Sequence, residues 1–298
     1  MRQGPVEAAA SRRRRRRSGG ERVAGAVRVV VIAAGTLFAA FPLFYALGLS
    51  LRPFADVAAH PAVPWPTQVD VTPYLTALRP LDAGGFGLGG FMVNSLVLAS
   101  STTLATLLVC VLGAYAVTRL RFPGRGVVGA VFLGVYILPG IALAVPLYVL
   151  FSRLGLRGSI ASLVLIYMAS TVPLAVYMLR NYFASVPASV EEAGALDGAS
   201  RLQVIGRLVL PMTMPGIAAT GLYIFMIAWN EYLYALLFLV DDRSRWTVSL
   251  GVAQLATFDV PVTVLMAGSI AITVPVVIGF FAAQRAMVSG LTLGAEKG

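Results

Sequence analysis

The side chains that carry out most enzymatic chemistry are scarce in this sequence. The 298 residues include one cysteine, Cys110, and one histidine, His60, so no intrachain disulfide, multi-cysteine metal site or paired-histidine zinc site can form. The single lysine, Lys297, is followed by Gly298 and not by Ser or Thr, so the phosphate-binding P-loop is missing as well. We therefore expect no catalytic residue, no metal site and no cofactor on this chain.

One acidic residue lies where a charge is unusual. Glu231, which follows Trp229 and Asn230, is the only charged residue in a long apolar run. An ionisable group inside a membrane is costly and by default marks a transport pathway or an internal partner. The alternative is a carboxylate near the membrane surface that water reaches. Asn230 and Glu231 are therefore candidate pathway or gate residues, with both interpretations open.

A second group of acidic residues lies in the polar stretch between residues 180 and 211. Pro187 suits a first helical turn, and Ser189 and Glu192 have the spacing of a capping box. Gly198 can end this helix and Ser200 can begin another. The second helix carries an apolar stripe at a spacing of three, formed by Leu202, Ile205 and Leu208. This arrangement predicts a projection that fits a partner's groove, or alternatively an interfacial helix, whose polar face would normally be richer in Lys and Arg.

The composition places these residues in a membrane protein. Hydrophobic residues make up 58% of the chain and charged residues 12%, whereas soluble domains have about 25% charged residues. Six apolar runs are long enough to cross a bilayer, which takes about 20 residues. Each is predicted to be a helix, because backbone groups in lipid need local hydrogen bonds. The predicted spans are 29–51, 91–118, 126–151, 158–179, 212–240 and 260–284.

Basic residues indicate the orientation of these spans. Residues 1–28 form a basic arm, expected to be disordered, in which an arginine run at 12–17 precedes the first span. With six spans, both termini lie on the same side of the membrane. The segments on that side carry 17 Lys and Arg residues and those on the other side carry six, which predicts cytoplasmic termini. Because the run lies next to a predicted span, the net charge of +10 is better explained by membrane orientation than by binding to nucleic acid. A retained first helix is favoured over a signal peptide, whose apolar region is usually about 7–15 residues.

The polar stretch resembles the EAA loop of inner-membrane permeases of binding-protein-dependent ABC importers. The family pattern is E-A-A, three residues, G, nine residues and I-x-L-P, and the matching positions are Glu192, Ala193, Gly194, Gly198, Leu208, Leu210 and Pro211. Gly194 stands where the family has Ala, and we expect it to weaken the first helix by up to about 1 kcal/mol. Leu208 stands where the family has Ile. Stretches at 138–139, 146–148, 229–231 and 290–298 are similar to the maltose-type second permease of the carbohydrate-uptake branch, and the similarity covers residues 29–298.

This resemblance implies an all-α polytopic membrane protein with six transmembrane helices in the type I (MetI-like) ABC importer permease bundle. The permease domain would span residues 29–298, with a coupling loop at 180–211. The loop residues implied to contact the ATPase are Glu191, Glu192, Ala193, Gly194, Asp197, Gly198, Leu202, Ile205, Leu208, Leu210 and Pro211.

The resemblance also implies a function and a set of partners. The chain would be a non-enzymatic transmembrane subunit of an ATP-driven importer of a sugar or oligosaccharide in the bacterial cytoplasmic membrane. Its partners would be a second permease in a heterodimer, two ATPase subunits that hold ATP and magnesium, an extracytoplasmic solute-binding protein and membrane lipid, with no nucleic acid. An ABC permease for another solute and a secondary transporter that uses Glu231 as an ion site remain alternatives. An intramembrane enzyme is disfavoured, because it would need an embedded His, paired Asp or paired Cys, and the predicted spans contain none of these.

Overall fold

A computed structural model of the chain describes residues 19–137, 139–256 and 260–295. The α-helices in these ranges are α1 (Gly19–Ser50), α2 (Phe54–Ala59), α3 (Thr72–Leu78), α4 (Leu88–Arg119), α5 (Arg125–Ile137), α6 (Gly140–Arg153), α7 (Ile160–Ser185), α8 (Ala188–Leu196), α9 (Arg201–Val204), α10 (Leu210–Asn230), α11 (Leu233–Leu239), α12 (Val248–Leu255) and α13 (Val262–Ala295). A π-helical turn, Ile205–Val209, joins α9 to α10. The arginine run 12–17, named above for the orientation, lies outside the described residues, as do residues 138 and 296–298, named above for the resemblance.

The helices follow the predicted spans, with two interruptions. Five helical stretches in the described part of the chain are long and apolar enough to cross a membrane, which confirms the all-α membrane fold. The third predicted span, 126–151, consists of two shorter helices, α5 and α6. Pro139, at the N-cap of α6, has no N–H to continue a helix across this point. The fifth predicted span, 212–240, is divided between α10 and α11 at Glu231.

The described residues divide into two units, and residues 19–46, which are helical, belong to the first. Helix α1 begins at Gly19 and therefore includes residues 19–28 of the predicted basic arm. This stretch contains no proline, and its two Ala and two Arg residues favour a helix that extends from the apolar run that follows it. Side chains from 26 to 44 are exposed, as expected for a helix surrounded by lipid.

The described residues from 47 onward belong to the second unit, whose centre is a bundle of long helices. Helix α4 packs against α7 and α10, and α10 also packs against α7 and α13. Small and hydroxyl-bearing side chains bring the helices close together, as is common in membranes. Thr106 Oγ1 of α4 lies 3.5 Å from Thr171 Oγ1 of α7. Gly216 of α10 accommodates the ring of Tyr182, which an added Cβ would approach to 2.2 Å.

Two apolar cores fill opposite ends of this unit. The loop-end core lies where α4 and α7 end and α10 begins, and it includes Cys110, Leu179 and Phe183. The far core lies where α4 and α7 begin and α10 ends, and it includes Phe91 and Phe238. Residues of the π-helical turn belong to the loop-end core, so the polar loop is packed onto the bundle.

The segment between α1 and α4, which contains α2 and α3, is folded around a buried arginine. The Arg52 side chain is completely buried, and its Nε lies 2.7 Å from Asp56 Oδ2. The same guanidinium donates to the carbonyl oxygens of Asp56, His60 and Val63. The hydrogen bond from Arg52 lowers the pKa of the Asp56 carboxyl. A buried charge is tolerated here because it is paired and hydrogen-bonded.

Candidate functional site

The loop between α7 and α10 begins with a helix that lacks a side-chain cap. Pro187 is the N-cap of α8, and Ser189 lies inside the helix. The capping box predicted for Ser189 and Glu192 is therefore wrong, because the helix begins two residues earlier than that box requires. The capping box occurs instead at α9, where the Gln203 N–H donates to Ser200 Oγ (3.4 Å) and the Ser200 N–H donates to Gln203 Oε1 (2.8 Å).

A glycine turn separates α8 from α9, as predicted. Gly198 has a φ of +81°, in the left-handed region that favours glycine. The Ala199 N–H donates to the Gly194 carbonyl (3.0 Å), and the Gly198 N–H donates to the Ala195 carbonyl (3.1 Å). This pair of bonds is the Schellman motif, which satisfies the last carbonyls of a helix. Asp197, the C-cap of α8, is exposed.

The two adjacent glutamates of α8 have different environments. Glu191 lies in the first turn and is largely buried, with 14% of its side chain exposed. Its Oε1 lies 2.6 Å from Arg119 Nε, and its Oε2 accepts a hydrogen bond of 2.8 Å from the Tyr115 hydroxyl. Glu192 is exposed and has no hydrogen bond or ion pair with any described residue. A partner protein can therefore reach Glu192, whereas Glu191 serves the interior of the subunit.

Arg119 connects this loop to the bundle. Besides pairing with Glu191, its Nη2 donates to the carbonyl oxygens of Phe183 (3.1 Å) and Val186 (2.5 Å) at the end of α7. We call Tyr115, Arg119 and Glu191 the loop-base network. It joins the end of α4, the end of α7 and the beginning of α8 through charge-assisted hydrogen bonds, which are stronger than neutral ones. The network therefore connects the beginning of α8 directly to two long helices.

Gly194 has a packing role that the sequence did not reveal. It is buried, and a Cβ at this position would lie 2.7 Å from Leu208 Cδ1 and 3.4 Å from Val204 Cγ2. The glycine thus lets α8 approach α9 and the π-helical turn. Ala193 beside it is exposed.

The predicted apolar stripe does not form a single face. Leu202 is 73% exposed, Ile205 is buried in the loop-end core and Leu208 is half-buried. The π-helical turn Ile205–Val209 is the reason, because its wider turn changes the spacing at which residues align. The exposed apolar residues are Leu196, 89% exposed, and Leu202, one on each side of the Gly198 turn. Leu210 packs partly on the loop-end core, and Pro211 lies in the first turn of α10.

The second candidate position, Glu231, lies at a break between helices. Helix α10 ends at Asn230, Glu231 is extended with ψ of 133°, and α11 begins at Leu233. The predicted uninterrupted helix over 212–240 is therefore wrong. The Glu231 carboxylate accepts hydrogen bonds from the backbone N–H groups of Tyr234 (3.0 Å) and Ala235 (3.4 Å). It thus satisfies donors that the beginning of α11 would otherwise leave unpaired.

A tyrosine on α7 completes the environment of Glu231. The Tyr167 hydroxyl donates to Glu231 Oε2 at 2.5 Å. The Tyr234 hydroxyl donates to the Gly140 carbonyl at 2.8 Å, which connects α11 to the beginning of α6. Asn230 is exposed, and its Nδ2 donates to the Met226 carbonyl of its own helix. The break is therefore held by contacts to α6 and α7, and Asn230 does not share them.

Sequence reasoning missed four residues of these sites: Tyr115, Arg119, Tyr167 and Tyr234. Arg119 is visible in the sequence only as a basic residue at the end of a span, and its partner Glu191 is 72 positions away. No spacing rule connects residues at that separation. The sequence did offer one signal of such a pairing, which was the acidic charge of Glu191 near the end of the bundle. Among the described residues, no three His, Cys, Asp or Glu side chains cluster as metal ligands would.

Comparison with known proteins identifies the family. Residues 109–292 match the family described as binding-protein-dependent transport system inner membrane component. The chain is 36% identical over 260 residues to the inner membrane ABC transporter permease protein YcjP of Escherichia coli, covering 87% of this chain and 91% of that protein. It is 33% identical over 276 residues to the trehalose/maltose transport system permease protein MalG of Thermococcus litoralis, covering 91% of this chain and 97% of that protein.

A solved structure agrees with this fold. A bacterial ABC transporter involved in the import of the acidic polysaccharide alginate contains a chain that is similar with a TM-score of 0.75 and 24% identity. The similarity covers 90% of this chain and 98% of that one. With a family match over more than half of its length and relatives above 30% identity, the chain belongs to the inner-membrane components of binding-protein-dependent transport systems.

Proposed function

We propose that this permease is one of two transmembrane subunits of an ATP-driven importer for a sugar or oligosaccharide. The single observation that carries the proposal is the loop on α8 and α9, which combines a base fixed to the bundle with an exposed tip. Similarity to a trehalose/maltose permease over 91% of the chain supports a carbohydrate as the solute. The subunit itself is not an enzyme, and the sugar passes through chemically unchanged.

The loop has the properties needed to couple an ATPase to the membrane helices. Its tip offers Leu196 and Leu202 for apolar contact and Glu192 and Asp197 for polar or basic groups of a partner. Its base is fixed by the loop-base network. A partner that closes around the tip would therefore move the ends of α4 and α7 together with it. ATP and magnesium would be held on that partner chain.

The remaining partners follow from the transport cycle. We propose a heterodimer with a second permease, two copies of the ATPase and an extracytoplasmic binding protein that delivers the sugar. ATPase closure and binding-protein docking would each favour one of two states of the pathway, outward-facing or inward-facing. A ligand or partner shifts such an equilibrium only as far as it prefers one state.

For the orientation, we propose that both termini and the coupling loop face the cytoplasm. The asymmetry of 17 basic residues against six supports this arrangement, and an ATPase could then reach the loop.

The test of this orientation is labelling of engineered cysteines from outside the cell in a Cys110→Ser background. Positions in 54–85 and 244–257 should react, and positions in 186–200 should not. Labelling of the loop from outside would contradict the orientation.

Reconstitution of the complex in liposomes tests the transport function. Sugars are screened for stimulation of ATP hydrolysis through the binding protein, and the sugar that stimulates should also accumulate. Stimulation by a non-sugar solute alone would contradict the carbohydrate assignment. Uptake that proceeds without the ATPase and collapses with the ion gradient would indicate a secondary transporter and overturn the proposal.

A further inference from the structure

A groove runs along α5 and α7 from the loop end of the bundle toward its centre. A cavity of about 540 Å³ lies between α4, α5 and α7, and its lining includes Gly129, Phe132, Pro173 and Tyr177. A second cavity of about 390 Å³ shares Phe132 and Pro173 with the first and is lined by apolar residues. The two cavities form one apolar groove of the size that small-molecule sites have.

Glycines keep this groove open on the side of α5. A Cβ added at Gly126 or Gly129 would meet no atom within 4 Å, so neither residue is required by close packing with the rest of the subunit. Both residues nevertheless line the cavity. The space beside them is available to a ligand.

The mouth of the groove is positively charged. Arg125 and Arg180 line one recess of about 260 Å³ together with Val117, Gly126 and Gly129, and none of the described acidic residues lines it. Arg180 is exposed and has no hydrogen bond or ion pair with any described residue. Within the described part of the chain, Arg125 donates one hydrogen bond, to the Thr118 carbonyl at 3.3 Å. Both guanidinium groups therefore retain donors for a ligand, in contrast to Arg119.

We propose that this groove binds one anionic membrane phospholipid. The phosphate would lie at the mouth between Arg125 and Arg180, because guanidinium groups bind phosphate through paired hydrogen bonds. One acyl chain would lie along the apolar groove past Phe132 and Pro173. Basic pockets between membrane helices bind anionic headgroups, and a free phosphate would leave the apolar part of the groove empty. This inference goes beyond the proposed function and does not depend on the transported solute.

The experiment measures lipid retention by the purified complex. The probes are phosphatidylglycerol and phosphatidylcholine with identical acyl chains, each titrated against the detergent-solubilised complex and quantified by native mass spectrometry. The wild-type complex should retain phosphatidylglycerol in preference. A basic residue near an anionic headgroup contributes roughly a factor of five, so Arg125→Gln or Arg180→Gln should weaken retention about fivefold and the double variant about 25-fold. The matched control is Arg285→Gln, which removes an exposed arginine of α13 that lines neither the groove nor its mouth.

A second variant tests the groove separately from the charges. Gly129→Leu places a side chain in the open space and favours the helix, so it should fold, and it should reduce retention of phosphatidylglycerol at least tenfold. Equal retention of the two lipids by wild type would overturn the proposal. So would competition by inorganic phosphate that is independent of the acyl chain, which would indicate a site for free phosphate. A crosslink from Gly129→Cys to the second permease, with no lipid retained, would assign the groove to the subunit interface and also overturn it.

Discussion

Glu191 and Glu231 are both partly buried carboxylates that accept a hydrogen bond from a tyrosine, yet their charges are balanced in different ways. At the loop end, Glu191 accepts from Tyr115 and pairs with the guanidinium of Arg119 at 2.6 Å. At the far end, Glu231 accepts from Tyr167 and from backbone N–H groups at the beginning of α11, and no ion pair involves it among the described residues. The charge of Glu191 is balanced by a full positive charge, whereas the charge of Glu231 is balanced only by the dipoles of N–H and O–H groups.

This difference suits the place of each residue in the membrane. Arg119 lies at the end of a span, where a guanidinium can reach the surface, whereas a second charge beside Glu231 would lie within an apolar run. The beginning of a helix offers unpaired N–H groups and a partial positive charge, which compensate a carboxylate without another ion. We therefore expect the loop-end site to depend on charge and the far site to depend mainly on hydrogen bonding.

Among the substitutions that test this difference, removal of Arg119 should have the largest effect. Arg119→Ala leaves Glu191 largely buried without its cation and frees the carbonyl oxygens of Phe183 and Val186. Breaking a buried pair costs about 3–5 kcal/mol, and because 20% of the Arg119 side chain is exposed we expect about 2 kcal/mol. Thermal inactivation of the complex should occur several degrees lower, and solute-stimulated ATP hydrolysis should fall more than tenfold.

The neighbouring Arg121 provides the control for this experiment. Arg121 is exposed and has no partner among the described residues. Arg121→Ala removes the same charge from the same end of α4 and should change neither measurement by more than about a tenth of the Arg119→Ala effect. Wild-type behaviour of Arg119→Ala would show that the loop-base network does not hold the loop.

Charge reversal at Glu192 should have the next largest effect and should separate the two adjacent glutamates. Glu192→Lys replaces attraction to a polar or basic ATPase surface by repulsion, while helical propensity is almost unchanged. The ATPase should dissociate about tenfold more readily, and hydrolysis and uptake should fall together. Thermal stability of the permease should stay at the wild-type value, because Glu192 has no partner among the described residues. Glu192→Gln should show a smaller loss, and full assembly and uptake by Glu192→Lys would contradict the coupling role.

Long apolar runs predicted most of the helices, because about 20 residues in lipid have few structures open to them. The interruptions were not predicted. Pro139 was visible, but a proline in a membrane helix often causes only a kink, so the sequence could not distinguish a kink from a break. The break at Glu231 depends on Tyr167 and on the backbone of α11, which a pattern along the chain does not bring together.

The loop illustrates the same limit at the level of side chains. The Gly198 turn and the start at Ser200 were predictable, since both are local rules about caps. The different environments of Glu191 and Glu192 were not, because only the position of Arg119, 72 residues earlier, distinguishes them. The π-helical turn also changed the spacing on which the apolar stripe relied. Local rules predict features within one helix, whereas contacts between helices that are far apart in the sequence determine the environment of each side chain.

Neutralisation of Glu231 should have a smaller effect than these substitutions and tests whether the far site depends on charge. Glu231→Gln keeps an oxygen that can accept from Tyr167 or from the beginning of α11, so we expect the complex to assemble and uptake to fall no more than about threefold. Glu231→Leu removes every acceptor and leaves these donors unpaired, which costs about 1–3 kcal/mol. Uptake and thermal inactivation of the two variants are compared side by side. A loss of uptake by Glu231→Gln as large as that of Glu231→Leu would show that the charge itself serves the pathway.

The smallest effect is expected where the loop packs on itself, at Gly194. Gly194→Ala gains up to about 1 kcal/mol of helical propensity in α8, but the new Cβ would lie 2.7 Å from Leu208 Cδ1. Leu208 is half-buried and can rotate away at some cost, so the two contributions should nearly cancel and the temperature of thermal inactivation should change by less than about 2 °C. In a Leu208→Ala background the close contact is absent, and the same substitution should be clearly stabilising. If Gly194→Ala is equally neutral in both backgrounds, contact with Leu208 is not the reason for glycine at this position.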